Sequence, residues 1–330
     1  MTGTLFVLLD GMEDDPNPAL GGRKPFEVAK MPFMYSKAKY RLTTTGRGYT
    51  QLFLNEFFTG HPPDTARAAL EAQGLGLSMS GGRTAFRLSP ARIDGEIVRW
   101  SYEGEKYEEL IVKTVTDHLD LLDGHDPEIK FFNNGRAVLT MEYEYALPAL
   151  GSPPADSRYY TLPGPLGRMV CDVHSRIGIT DYPWGCGKIG SRFTPYVKHM
   201  HAVSSSPTAL GVAASLGYTV ELHRAIEPRM DAAIEALDRG NVFLHFDEVD
   251  EYSHEKDHMK KIRVLEKIDG LMEDYFSDAE RIIYFVDHGT SCVTGEHILM
   301  NVPLWTNIDS GLSPKTVVPL KDVVPALMRE

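Results

Sequence analysis

Asp250 and His254 stand four residues apart in the stretch Asp-Glu-Tyr-Ser-His, Asp287 and His288 are adjacent, and His297 follows nine residues further on. With Asp10 near the start of the chain these make three carboxylates and three imidazoles. A mixed set of oxygen and nitrogen donors suits Mn, Zn, Fe or Co, and the share of histidine argues against a purely oxygen-bound Ca or Mg site. Six donors suffice for two divalent metal ions once a hydroxyl or a water completes the set. Each pair alone is a weak signal, because a solitary D-x-x-x-H is more often a solvated helix start. What joins the candidates is their position, since most of them fall where an apolar run ends.

Leu5 to Leu9 is an apolar run closed by Asp10-Gly11. Val242 to Phe246 runs into Asp247-Glu248, and Ile282 to Val286 into Asp287-His288. Continuous apolar runs of this length read as strands buried on both faces of a parallel sheet. In open α/β sheets the ligand crevice lies outside the carboxyl ends of the strands, so three acid-rich turns would converge there. Helical signals separate the strands. Ser206-Pro207 opens an Ala- and Leu-rich segment stopped by Gly217; Pro228 starts one with Met230, Ile234 and Leu237 on one face; Ile262, Leu265, Ile268 and Met272 keep helical spacing in a third. The predicted class is α/β, a doubly wound, mostly parallel sheet with helices on both faces. From about residue 76 to 195 the texture changes to short apolar stretches, such as Ala137 to Met141, broken by SGGR, LDGHD, NNGR, GSPPADS and LPGPLG. The expected organisation is a core domain of residues 1–75 and 196–330 with a smaller α+β cap or substrate domain, 76–195, inserted into it.

Forty-six acidic against 34 basic residues give a net charge of -12, a field that disfavours nucleic acid and anionic lipid. The expected partner is a small anionic metabolite met by a local cluster of cations, with two metal ions offsetting the negative charge of Asp10, Asp250 and Asp287. Three scattered cysteines form no CxxC pair, which fits a reducing cytoplasm, and no apolar window is long enough for a membrane helix. The opening MTGTLFVLLDG reads as a buried strand rather than a signal peptide. Trp184 to Gly190 is glycine-rich but lacks the spacing of a phosphate-binding P-loop.

Four stretches carry a family resemblance: LLDGMEDDPNPALGGRKPFEVAKMPFM from Leu8, ALEAQGLGLSMSGGRTAFR from Ala69, FLHFDEVDEYSHEKDHMKKIRVLEKID from Phe243 and FVDHGTSCVTGEHILMNVPLW from Phe285. Through them the chain resembles the archaeal-type, cofactor-independent phosphoglycerate mutases of the alkaline phosphatase superfamily. The resemblance implies an alkaline-phosphatase-like core with an inserted domain. It also implies that Asp10, Asp287 and His288 hold the metal that contacts the nucleophile, and that Asp250, His254 and His297 hold the second.

The nucleophilic serine of that family has no counterpart here, since no serine lies between Ser36 and Ser78. The best substitute is Thr50, which follows a Gly-containing turn and precedes the apolar run Leu52 to Phe58; the opposing reading makes it a simple helix N-cap. Thr45, with Thr43 and Thr44, comes next, and Tyr49 falls at the serine's place if the preceding glycine is aligned without a gap. Of the family's substrate arginines, Arg67 and Arg87 match retained positions. The expected function is phosphotransfer of phosphoglycerate-mutase type on a small phosphorylated or phosphonate metabolite. A metal-dependent phosphohydrolase, or an inactive metal-binding or regulatory homologue, stands as the alternative.

Overall fold

The computed structural model describes residues 3–101, 103–144, 157–158, 162 and 164–329. The chain divides into two compact units, one formed by Met1–Pro63 with Arg192–Glu330 and the other by Asp64–Ser191.

The first unit is built on an eight-stranded sheet. Its strands are β1 (Thr4–Leu9), β2 (Tyr40–Thr45), β3 (Met200–Ser204), β4 (Thr219–Leu222), β5 (Asn241–Phe246), β6 (Arg281–Phe285), β7 (Asn301–Thr306) and β8 (Val317–Val318), in the order β4-β3-β5-β1-β6-β7-β2-β8. Pairing is parallel from β4 through β6, antiparallel on both sides of β7, and parallel again between β2 and β8. The sheet is therefore mixed and mostly parallel. All six residues of β1 are buried, as a central strand covered on both faces requires.

Helices α1 (Thr50–Thr59), α2 (Pro207–Ser215), α3 (Ile226–Leu237), α4 (Glu248–His254), α5 (His258–Phe276) and α6 (Leu320–Leu327) surround it. α1 packs against α2 and α6, and α3 against α5. Phe53, Phe57 and Phe58 of α1 lie against Phe6, Phe243 and Phe285 on three neighbouring strands, so one aromatic layer fixes where α1 starts relative to the strand ends. Ser206 caps α2, its side chain accepting from the Ala209 amide with Pro207 in the first turn. α3 begins at Ile226, two residues ahead of Pro228; proline is tolerated there because first-turn amides have no intrahelical acceptor to lose.

The second unit is a sheet of antiparallel strands (Thr84–Asp94, Ile97–Trp100, Glu128–Phe132, Arg136–Met141, Ser157–Arg158 and Thr180–Gly187) with helices Arg67–Gly74, Gly104–Thr116 and Gly164–Ile177. Its core joins Phe86, Leu88, Ile111, Leu139, Met169 and Val173. Of the GSPPADS stretch only Ser157 falls within the described residues, and Pro163 of LPGPLG falls outside them. Among the described residues no helix is long and apolar enough to cross a membrane.

Candidate metal centre

Because β5, β1 and β6 are adjacent and parallel, their carboxyl ends align and deliver Asp247-Glu248, Asp10 and Asp287-His288 to one edge of the sheet. Gly11 makes the turn at φ +60°; a Cβ there would meet Asp250 Oδ1 at 2.5 Å and Thr290 Oγ1 at 2.6 Å. The positive φ and the crowding by these two side chains together favour glycine here.

Hydrogen bonds consume one end of each side chain and leave the other end turned inward. Asp287 Oδ1 accepts from the amides of Gly11 (3.1 Å) and His288 (3.0 Å). Asp10 Oδ2 accepts from Thr50 Oγ1 (3.2 Å) and lies 2.9 Å from His245 Nε2. His288 Nδ1 sits 3.2 Å from Thr290 Oγ1. What remains is Asp10 Oδ1, Asp287 Oδ2 and His288 Nε2, with the imidazole nitrogen 3.2 Å and 3.3 Å from the two oxygens. All three atoms are buried without a hydrogen-bond partner. An orphaned buried polar atom costs about 1–3 kcal/mol, so three facing one another fit a cation held between them. Burial, then the charges of Asp287, Asp250 and Asp247, pushes the Asp10 carboxyl well above its usual range, and burial lowers His288.

The second cluster is more open. α4 sets Asp250 and His254 one turn apart, and His297 arrives from a two-residue ribbon in which it pairs with Thr290. His254 Nε2 is 3.1 Å from Asp250 Oδ2 and 3.1 Å from His297 Nε2. His254 Nδ1 lies 2.7 Å from the Gly295 carbonyl and His297 Nδ1 2.7 Å from that of Gly48, contacts that place a proton on each Nδ1 and leave Nε2 as the atom that could ligate a metal. Burial opposes charge on His254, but the Asp250 carboxylate outweighs it and lifts the imidazole to about 9; His297 is raised in the same way. Asp250 falls well below its usual value because these imidazoles outweigh the effect of burial. Ligand atoms of Asp10, Asp287 and His288, and likewise of Asp250, His288 and His297, all lie within 4.8 Å of one another. Thr290 ties the clusters together, since its hydroxyl donates to Asp250 Oδ1 and faces His288 Nδ1.

α1 starts at Thr50, with Tyr49 at the N-cap position making no side-chain cap. Thr50 is therefore the first helical residue, not the cap, and its hydroxyl turns to Asp10. Tyr49 packs its ring on His297. Thr44 spends its hydroxyl on the Val318 carbonyl. Thr45 closes β2 opposite Asn301, and the next two amides bind the carbonyls of Met300 and Asp287. In the second unit, Arg67 (3.0 Å) and Arg87 both reach Glu71 Oε1. Arg87 is buried beneath Phe132 and Trp184, and burial brings it down to about 10.

Four residues escaped the sequence reading. His245 and Ser204 belong to strands of the sheet, Thr290 lies in the two-residue ribbon opposite His297, and the buried Lys261 ammonium binds the Gly11 carbonyl (2.9 Å), Asp14 Oδ2 (2.9 Å) and the Thr290 carbonyl (3.2 Å). The available signal was a polar residue within an apolar period: His245 in Val-Phe-Leu-His-Phe, and Lys261 beside Ile262. Such a residue must find a partner when buried.

Comparison with known proteins shows likeness in sequence and in fold. Residues 196–314, which include five of the six donors, match the metalloenzyme superfamily model. The chain is 24% identical to 2,3-bisphosphoglycerate-independent phosphoglycerate mutase 1 of Methanothermobacter thermautotrophicus over 91% of its own length and 87% of that protein's. It is 26% identical to the corresponding mutase of Methanothrix thermoacetophila over 90% and 88%. Its fold matches the solved structures of the PH0037 protein from Pyrococcus horikoshii (TM-score 0.70, 17% identity, 99% and 96% of the two chains) and of the cofactor-independent phosphoglycerate mutase from Thermoplasma acidophilum (TM-score 0.55, 17% identity, 99% of each). The resemblance to the archaeal cofactor-independent phosphoglycerate mutases thus extends over nine-tenths of the chain.

Proposed function

We propose that this chain is a metal-dependent phosphotransfer enzyme of phosphoglycerate-mutase-like type, acting on a small phosphorylated metabolite with Thr50 as the nucleophile. The observation that carries the reading is the Thr50 hydroxyl, bonded to Asp10 beside three unpartnered donor atoms. Asp10, Asp287 and His288 would hold one divalent ion, and Asp250, His254 and His297 the other. When bound, the two ions would lower the pKa of the hydroxyl and neutralise phosphoryl charge.

The chain's own residues do the rest. Asp10 Oδ2 directs the Thr50 proton inward and leaves an oxygen lone pair facing out. The start of α1 offers partial positive charge to a phosphoryl group at that point. Thr50 Oγ1 would give up its proton along the hydrogen bond to Asp10 Oδ2 as it bonds to phosphorus. The ester O–P bond would break with the substrate oxygen taking up a proton, and the reverse of these steps at a second hydroxyl of the same molecule would complete the transfer.

One observation favours hydrolysis as a second reading: Glu71 engages both Arg67 and Arg87, which weakens a bidentate clamp for a substrate held between two transfers. Protein loaded with Mn²⁺ and given 3-phosphoglycerate or p-nitrophenyl phosphate, quenched in acid and analysed by peptide mass spectrometry, tests both. Phosphorylated Thr50, lost in Thr50→Ala and kept in Thr50→Ser, supports the nucleophile. Isomerised product then marks the mutase, and free phosphate the hydrolase. Turnover unchanged in Thr50→Ala would sink the nucleophile, and metal binding without turnover of either ester would favour a regulatory metal-binding protein.

A further inference from the structure

We infer that His245 is a positioning residue for the candidate centre, acting through Asp10 to aim both the Thr50 hydroxyl and the metal-facing carboxylate oxygen. The inference rests on the reading of Asp10 as a metal ligand and of Thr50 as its neighbouring nucleophile. His245 lies in β5 directly across from Leu8 of β1, its ring wholly buried. Its carbonyl is fixed by Arg229 Nη1 at 2.7 Å.

The protons on the imidazole follow from its neighbours. Ser204 Oγ accepts from the Ser206 amide at 2.8 Å and lies 2.7 Å from His245 Nδ1. That hydroxyl has one proton to give, and giving it to Nδ1 leaves the ring proton on Nε2, which then donates to Asp10 Oδ2 at 2.9 Å. The opposite tautomer would set a nitrogen lone pair against a carboxylate oxygen. Asp10 Oδ2 therefore receives two donors, His245 Nε2–H and Thr50 Oγ1–H. With Oδ2 pinned, the carboxylate cannot rotate, and Oδ1 is held 3.2 Å from His288 Nε2. One hydrogen bond thereby fixes the direction of the nucleophile's proton and of the ligand oxygen together. Partners of this kind behind a metal ligand are typically worth about 10–100-fold in metal affinity or activity.

His245→Phe keeps the ring volume and removes the donor, whereas His245→Gln carries an amide N–H to about the place of Nε2. Mn²⁺ affinity of the purified full-length variants is measured by calorimetry, and kcat and KM with p-nitrophenyl phosphate in parallel. We expect His245→Phe to bind Mn²⁺ about 10–100-fold more weakly, with kcat at saturating metal reduced by a similar factor and KM within about threefold; His245→Gln recovers most of both. Nitrogen NMR of labelled histidine in protein loaded with diamagnetic Zn²⁺, in which Asp10 is a carboxylate, should show the proton on Nε2. If His245→Phe is too unstable to purify, Ser204→Ala replaces it, and the expected result is loss of the single tautomer with several-fold weaker Mn²⁺ binding. Wild-type affinity and kcat in His245→Phe, or equal losses in His245→Phe and His245→Gln, overturn the inference. A wild-type protein that binds Mn²⁺ but turns over no ester would defeat the phosphotransfer reading, while the affinity ratio of the two variants would still decide the role of His245.

Discussion

Thr290 shows how one side chain can serve two clusters. Its hydroxyl has a single proton, and the Asp250 carboxylate can only accept it, so the contact with His288 must run from Nδ1–H to Thr290 Oγ1. That leaves His288 Nε2 with its lone pair toward Asp10 and Asp287, the state a metal ligand needs. Thr290→Val is close to isosteric but breaks both bonds and leaves buried groups unpaired. We expect it to cost about 1–3 kcal/mol of stability in chemical denaturation and to weaken Mn²⁺ binding about 10–100-fold. A variant that loses stability yet binds Mn²⁺ as the wild type does would confine Thr290 to a structural role. The same reasoning explains what was legible at this scale. Asp10, Asp250, His254, Asp287, His288 and His297 were visible because ligating residue types gathered at strand ends. Thr290, Ser204 and His245 were not, because a hydroxyl or a single imidazole acquires its role from the residue opposite it, and that is set by register between segments far apart in the chain.

At the scale of elements, helix α5 and the turn after β1 are joined by Lys261, whose ammonium is wholly buried against Asp14 and three nearby carbonyls. The turn it holds carries Gly11, whose amide fixes Asp287; the clamp thus lies one step behind the candidate centre. Removing one partner of a buried ion pair strands the other and costs about 3–5 kcal/mol, while replacing both by apolar groups is often tolerated. Lys261→Met should accordingly destabilise the protein by about that amount, and Lys261→Met with Asp14→Leu should recover a measurable part of it by urea titration. An additive double mutant would mean that the two charges are not coupled. The apolar period of Ile262, Leu265, Ile268 and Met272 revealed this helix in the sequence. Its buried lysine went unnoticed because helical spacing marks the core face but not a cation at its border. Likewise the three acid-ended strands were legible from their apolar runs, whereas the antiparallel β7 was not, because pairing direction leaves no mark on so short a stretch.

For the whole molecule, the net charge of -12 bears most heavily where acids converge at the carboxyl ends of β5, β1 and β6, and it gives metal removal a pH dependence of definite sign. Without metal, Asp10 carries a folded-state pKa raised by burial and by Asp287, Asp250 and Asp247. For a carboxyl group this is the reverse of the usual case. The folded chain binds the proton more tightly than the unfolded one, so stability falls as pH rises above the unfolded value of about 4. His254, raised to about 9, contributes stability that is complete below an unfolded value of about 6.5 and is lost as pH rises through about 9. His297 shifts in the same direction. Asp250 opposes them only in acid, because its depressed pKa gives stability that is present above about 4 and lost below it. Burial lowers His288 and brings His245 down to about 4, so these two oppose the trend below about pH 6.5; between about pH 6.5 and 9 the metal-free protein should become steadily less stable. Bound divalent ions remove both causes, since they neutralise Asp10 in place of a proton and occupy the nitrogens that His254 and His297 would otherwise protonate. Saturation at about 100 times Kd adds roughly 2.7 kcal/mol per site, and Kd itself tightens as competing protons leave. The gap in Tm between Mn²⁺-loaded and chelator-treated protein should consequently widen from pH 5 to pH 8, and thermal melts across that range measure it. A constant gap would mean that the two clusters do not exchange protons for metal, and a narrowing gap would mean that metal binds elsewhere.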